Sequence, residues 1–158
     1  MEGVRRVPYR MPQLAAAADG ALVFVVEGEK DADRLVGIGL LPTTNPGGAE
    51  KWKFVADEAK RVLHGKRVVV LPDNDDPGRR HAEEVARSLQ GAASDVRVLA
   101  LPDLPPKGDV SDWLGAGGTK DELVRLSSTA PATTKPTFAS SGTRVRDERA
   151  LRRELVAR

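Results

Sequence analysis

Four short apolar runs, each followed by a stretch with helical spacing, organise the chain. Leu22-Val23-Phe24-Val25-Val26 comes first and Leu41 to Thr44 second; Arg67 to Leu71 and Asp95 to Leu101 follow. β-branched runs of this length, each followed by a helix-like segment, read as buried strands of a parallel sheet. Between them, Glu29 to Gly37 sets Ala32, Leu35 and Val36 on one helical face and stops at Gly37 and Gly39. Glu50 to Leu63 repeats apolar residues at Trp52, Val55, Ala59 and Val62/Leu63, which predicts a single helix ending at His64-Gly65. Pro77 suits the first turn of a helix running to Leu89. Ser111 to Leu114 predicts a turn or short helix. Thr119, with Glu122 three residues on, caps a final helix to Leu126. A helical turn around Gln13 to Ala18, ended by Asp19-Gly20, precedes all of these. The order β-α-β-α-β-α-β with short links predicts an α/β domain: a central parallel sheet of about four strands flanked by helices.

The same pattern divides the chain. Residues 1–20 read as a lead-in segment and 21–126 as the folded domain. Residues 127–146 are rich in Ser, Thr, Ala and Pro, which predicts a flexible linker broken by Pro131, Pro136 and Gly142. Residues 147–158 predict a basic helical tail, acids first and arginines later, as the helix dipole favours. With nothing to pack on, that tail is expected to open a further domain.

Acidic residues stand where the apolar runs end. Glu27-Gly28 follows the first run, Asp73-Asn74-Asp75-Asp76 the third, and Lys107-Gly108-Asp109 the fourth. Open α/β sheets bind ligands outside the carboxyl ends of their strands. Glu27, Asp73, Asp75 and Asp109 are therefore expected to converge on one edge of a Rossmann-like sheet. Gathered carboxylates repel and raise one another's pKa unless a counter-charge is present. A hard divalent cation, Mg²⁺ or Mn²⁺, supplies that charge through oxygen ligands. Each motif also has a plainer reading. Glu27 suits a solvated turn, Asp73 to Asp75 an Asx-rich turn before a helix capped by Asp76, and Asp109 to Asp112 a helix cap. Their coincidence on one edge favours the metal reading.

Composition narrows the chemistry. The 158 residues contain no Cys and two His, which excludes disulfides, Cys-type zinc sites, iron–sulfur clusters and a Cys nucleophile. A cytoplasmic protein is expected. Asp19-Gly20 splits the apolar stretch Leu14 to Val26, so a secretory signal is not, and no run reaches the ~20 residues of a membrane span. The net charge of +2 is uneven: residues 127–158 hold seven Lys/Arg against three Asp/Glu, which leaves the body slightly acidic. The tail is therefore expected to add salt-sensitive affinity for nucleic acid. Lys30, Lys51, Lys53, Arg79, Arg80 and Lys107 surround the motif loops. They are either an ordinary solvated surface or phosphate contacts; the second reading nominates Lys30, Lys51, Arg79 and Lys107 for nucleic acid or nucleotide. His81 is expected to face solvent or cap its helix, and His64 to sit at a helix C-terminus. Trp52 and Trp113 read as packing residues, with Trp113 also able to shield the acidic pocket. No Gly-x-x-x-x-Gly-Lys-Ser/Thr occurs, so no Walker-type ATPase is expected.

Four segments taken together resemble a known family. They are Val25-Val26-Glu27-Gly28-Glu29-Lys30-Asp31-Ala32, Thr44-Asn45-Pro46-Gly47-Gly48, Leu71-Pro72-Asp73-Asn74-Asp75-Asp76-Pro77-Gly78 with His81-Ala82, and Lys107-Gly108-Asp109-Val110-Ser111-Asp112-Trp113-Leu114. In order and spacing they resemble the Toprim domain, most of all that of phage- and plasmid-type primases and primase–helicases. The resemblance spans about Val23 to Leu126. It implies a compact Rossmann-like fold, a catalytic Glu at Glu27, and a metal-binding Asp-x-Asp at Asp73 and Asp75. Asp31 matches a further acid of the primase branch, and Asp109 with Asp112 the later acidic pair. The implied activity is Mg²⁺-dependent phosphoryl or nucleotidyl transfer by the Toprim domain of a DNA primase-like replication protein. Single-stranded DNA and nucleotides are the implied ligands, and a helicase or primase subunit the implied partner. Replicative bacterial primases surround this domain with a zinc module and a larger polymerase fold, so primer synthesis is expected to need surfaces beyond it. Two alternatives use the same residues: a metal-dependent Toprim nuclease, and a non-catalytic nucleic-acid-binding module of a primase–helicase assembly.

Overall fold

The computed structural model describes residues 6–133. Four strands, β1 (Leu22–Val25), β2 (Leu41–Thr43), β3 (Arg67–Val70) and β4 (Asp95–Val98), form one sheet in the order β2-β1-β3-β4. Every neighbouring pair is parallel; Val25 lies opposite Thr43 on one side and Val70 on the other. The strand order reverses between β1 and β3. That places their carboxyl ends at the position where open α/β sheets form a crevice.

Alternation along the strands feeds two cores. Val23, Val25, Val68 and Val70 point to one face, against Leu14, Trp52, Ala59, Leu63, Val85 and Leu89. Helices α1 (Met11–Ala16), α3 (Ala56–Val62) and α4 (Asp76–Leu89) cover that face, with a 3₁₀ helix, Ala49–Phe54. Phe24, Val26, Val69 and Leu71 point to the other face, against Ala32, Leu35, Val110, Trp113 and Leu123. Helices α2 (Glu29–Gly37), α5 (Val110–Gly115) and α6 (Lys120–Thr129) cover it. Phe24, fully buried in the central strand, contributes about 1.5–3 kcal/mol. The packing roles of Trp52 and Trp113 follow from their burial in these two cores.

Several expectations need correction. The segment after Glu50 is not one helix: the 3₁₀ helix ends at Phe54, Val55 at a φ of −118° separates the two, and α3 starts at Ala56. A 3₁₀ helix repeats every three residues, so Trp52 and Val55 share its buried side while Lys51 and Phe54 share the outer one. His81 does not face solvent. The buried stripe of α4 runs Gly78, His81, Ala82, Val85, Ala86, Leu89, and helical spacing carries His81 inward. The fourth strand stops at Val98; Leu99 still donates its N–H to Val70 O at 2.9 Å, and both Leu99 and Leu101 turn into the core.

The lead-in packs on the domain. Leu14 is fully buried, Tyr9 N–H donates to Thr44 O at 2.8 Å, and the Tyr9 hydroxyl donates to Asp33 Oδ1 at 2.8 Å. At the other end α6 runs to Thr129, past the expected linker boundary, and Ala132 bridges Arg97 in antiparallel sense along the β4 edge. The rest of the expected linker and the basic tail, residues 134–158, lie outside the described residues. Among those described, no helix is long and apolar enough to cross a membrane.

Candidate functional site

The acids meet at the crevice between β1 and β3. Backbone pairing continues one residue past β1 and β3, with Val26 N–H on Thr43 O at 3.0 Å and Leu71 N–H on Val25 O at 2.9 Å, and the chain turns away after that. Glu27 leaves β1 here, and its Oε2 accepts the N–H of Asp73 from the β3 side at 3.2 Å. Asp75 N–H folds back on Asp73 O at 2.9 Å, a tight turn that brings Asp73 and Asp75 to the same rim. Asp75, not Asp76, caps α4: its Oδ1 accepts Gly78 N–H at 2.7 Å. Asp75 has the extended backbone an N-cap requires (φ −155°), and the positive end of the helix dipole steadies its charge. Asp76 pairs instead with Arg79 at 2.7 Å in the exposed first turn.

Asp31 sits on the inner side of α2, almost fully buried, and accepts the Ser111 hydroxyl at 2.6 Å. Burial pushes its carboxyl above the usual range, and Asp109 nearby adds to that. Asp109 arrives from the opposite loop. It forms a capping box with Asp112: Asp109 Oδ1 accepts Asp112 N–H at 2.9 Å, and Asp112 Oδ2 accepts Asp109 N–H at 3.0 Å. Lys30 reaches Asp109 Oδ2 at 3.4 Å. Burial acts upward on the Asp109 carboxyl, but the Asp112 N–H and the Lys30 ammonium outweigh it and hold the group below its ordinary value.

Asp73 is the opposite case. Burial first, then the charges of Glu27, Asp31, Asp109 and Asp75, push its pKa up to about 8. Near neutral pH and without a counter-ion, this carboxyl holds its proton. Oxygen donors alone line the position, which suits a hard divalent cation rather than a soft one. Among the described residues no three His, Asp or Glu side chains form a ready-made cage. Mg²⁺ does not demand one, because it keeps several waters and takes one or two protein carboxylates.

Two residues that the acidic pattern does not single out hold this arrangement. Gly78 lies under the acids: a Cβ there would meet Asp73 O at 2.5 Å, Glu27 Oε2 at 2.6 Å and Asp75 Oδ1 at 2.9 Å. A glycine in the first turn of a helix, where alanine would favour the helix more, is the sequence clue to such a close approach. Asn74 is the second. Its Nδ2 donates to Leu104 O and Pro105 O, both at 3.0 Å, and its backbone exchanges hydrogen bonds of 2.8 Å with Lys107 and Gly108. The loop leading to Asp109 is thereby fastened to the Asp73–Asp75 turn.

The four nominated basic residues fall differently. Lys30 and Arg79 are engaged by acids, Asp109 and Asp76 respectively, with Arg79 also donating to Asn74 Oδ1 at 3.2 Å. Lys107 is exposed on the fastened loop, at a φ of 65°. Lys51 lies against Gly47, in the loop after β2.

No protein-family model matches the sequence, and no curated protein matches it. Solved structures do. Primase domains of bacteriophage T7, in a structure of its lagging-strand DNA polymerase with an RNA/DNA hybrid and dTTP, match with a TM-score of 0.55 and 21% identity over 73% of this chain and 58% of that one. The zinc-binding and RNA polymerase domains of the Aquifex aeolicus primase match with a TM-score of 0.58 and 25% identity, over 72% of this chain and 27% of that one. The E. coli primase catalytic core matches with a TM-score of 0.56 and 21% identity, over 78% of this chain and 38% of that one. The chain therefore spans only part of the length of each. Parallel sheet, flanking helices and acidic carboxyl edge together give it the Toprim fold of primase catalytic cores.

Proposed function

We propose that this chain is the Toprim domain of a DNA primase-like replication protein, and that its acidic edge supports Mg²⁺- or Mn²⁺-dependent nucleotidyl transfer on nucleic acid. The observation that carries the reading is the gathering of Glu27, Asp73 and Asp75 over Gly78, where a Cβ would meet Asp73 O at 2.5 Å, Glu27 Oε2 at 2.6 Å and Asp75 Oδ1 at 2.9 Å. Burial and neighbouring acids raise the Asp73 pKa. A site in that state gains from added positive charge. Asp73 and Asp75 are the proposed metal holders, Glu27 a bridging ligand or proton carrier, and Asp109 an acid facing them from the loop. Asp31 and Asp112 support, the first from the buried side and the second through the capping box. A bound divalent cation would offset charge on a transferring phosphoryl group.

The chain's own contribution is positioning. The Asp73 N–H fixes the Glu27 carboxylate, so a proton can be taken up there at a defined distance from the Asp73–Asp75 turn. Lys107 and Lys51 offer cations at the rim for phosphate, with Lys30 and Arg79 available by exchanging their acidic partners. Single-stranded DNA and nucleotides are the proposed ligands. A helicase or further primase subunit is the proposed partner, supported by the likeness to T7 primase domains held in an assembly with a DNA polymerase and an RNA/DNA hybrid.

The test is equilibrium binding of a fluorescent nucleoside triphosphate to the full chain, with Mg²⁺ and with EDTA, for wild type and Asp73→Asn. Metal-dependent binding that the variant loses supports the proposal; equal binding by both contradicts it. Metal-dependent cleavage of labelled single-stranded DNA in the absence of nucleotides would instead make the chain a nuclease.

A further inference from the structure

Among the described residues only Phe54 and Val124 are large apolar side chains left exposed, and Phe54 is 48% exposed. Three cations gather on its ring: Arg6 at 4.7 Å from the centroid, Lys53 at 5.4 Å and Lys51 at 5.7 Å. This is an unusual use of an aromatic residue. An exposed phenylalanine lowers solubility, and it sits one residue before the fully buried Val55. The backbone accounts for its position. In the 3₁₀ helix Lys51 and Phe54 stand one above the other on the outer side, while Trp52 anchors the inner side through Nε1 to Ser88 Oγ at 2.7 Å. Arg6 comes from the lead-in, forty-eight residues away in sequence, so the cluster is built by the fold.

We propose that Phe54, with Arg6, Lys51 and Lys53, is a stacking platform for single-stranded nucleic acid. The proposal rests on the nucleic-acid reading above and adds to it an aromatic binding surface, in which Lys51, already proposed for phosphate, takes part. Bases offer a flat π-face only when unpaired, and an exposed aromatic ring with flanking cations matches a base and its adjacent phosphates. A duplex hides its base faces, and an acidic peptide offers charge without a ring to stack. The loop before the 3₁₀ helix starts at the carboxyl end of β2, the sheet edge from which Glu27 and Asp73 also leave.

The test uses the full chain in EDTA, so that the acids and their cation play no part. Binding of a labelled oligo-dT strand and of an abasic strand of equal length is measured for wild type, Phe54→Ala and Phe54→Trp. The half-exposed ring is not in the core, so Phe54→Ala should fold. Its affinity for oligo-dT should fall about tenfold while its affinity for the abasic strand stays unchanged. Phe54→Trp should bind like wild type, with its fluorescence quenched by oligo-dT and not by poly-glutamate. Absence of oligo-dT binding by wild type, an equal loss on both strands, or no loss on either would overturn the proposal. This assay runs in EDTA and the nucleoside-triphosphate test needs Mg²⁺, so a failed platform and a failed metal site give different results.

Discussion

Glu27 Oε2 accepts the backbone N–H of Asp73 at 3.2 Å, and this contact ties together the two strand ends that flank the reversal in strand order. It also holds two carboxylates near each other against their repulsion. A charge-assisted hydrogen bond of this kind is worth about 1.5–3 kcal/mol, enough to fix Glu27 in place but not to neutralise Asp73. The repulsion that remains is stored at the mouth of the site.

That stored repulsion has a pH signature. The folded-state pKa of Asp73, about 8, lies above the ordinary carboxylate value of 3.8. The folded protein therefore holds a proton that the unfolded chain releases. The resulting stability is complete below about pH 4 and is lost as pH rises toward 8. Asp31, raised by burial, acts in the same direction, while Asp109, held low by its partners, acts in the opposite one. In EDTA, Asp73→Asn should remove much of the loss between pH 4 and 8. It should raise the melting temperature above wild type at pH 8, by about 2–8 °C per kcal/mol gained. Thermal unfolding across that range checks it; parallel wild-type and variant curves would contradict it.

Gly78 is expected to tolerate no side chain. Alanine would favour α4 by about 1 kcal/mol from propensity alone. Its Cβ would nevertheless press on Asp73 O, which is backbone and cannot swing aside. Gly78→Ala should thus destabilise by about 1–3 kcal/mol and displace the Asp73–Asp75 turn. Denaturant unfolding gives the first quantity, and the amide shifts of Asp73 and Asp75 the second.

The central strands β1 and β3 were legible because buried parallel strands read as apolar runs rich in valine, and α2 because its apolar stripe and glycine stop agree. The edge strands β2 and β4, Leu-Pro-Thr and Asp-Val-Arg-Val, carry a weaker signal. The edge position of Glu27, Asp73 and Asp75 followed from strand ends alone. What was not legible depended on tertiary contacts. Trp52, Val55 and Ala59 satisfy helical spacing, but the turn from Gly47 and Gly48, at φ of 93° and 95°, feeds a 3₁₀ helix instead. Asp75 and Asp76 are equally good caps by composition, and only the extended backbone at Asp75 decides between them. His81 reads as polar, yet helical phase puts it on the buried stripe. Asn74 looks like a turn residue, and nothing local shows that it grips a loop thirty residues later.

That grip can be tested directly. Asn74→Ala removes the side-chain bonds to Leu104 O, Pro105 O and Arg79, while the backbone bonds to Lys107 and Gly108 remain. A loss of about 1–2 kcal/mol is expected. Hydrogen exchange at the Lys107 and Gly108 amides should quicken, while β1 and β3 stay protected. Unchanged exchange in that loop would show that the backbone bonds suffice.

The most direct measurement is calorimetric titration of Mg²⁺, and separately Mn²⁺, into the full chain at neutral pH, for wild type, Asp73→Asn and Asp75→Asn. Asparagine is as good an N-cap as aspartate, so Asp75→Asn should keep α4 intact while removing a charge. Wild type should bind saturably and release protons as Asp73 ionises. At a hundredfold excess over Kd the metal should add about 2.7 kcal/mol of stability. Both variants should lose at least about tenfold in affinity, and Asp73→Asn should lose the proton release. Variants that bind metal as tightly as wild type would contradict the assignment of the acidic edge as a metal centre.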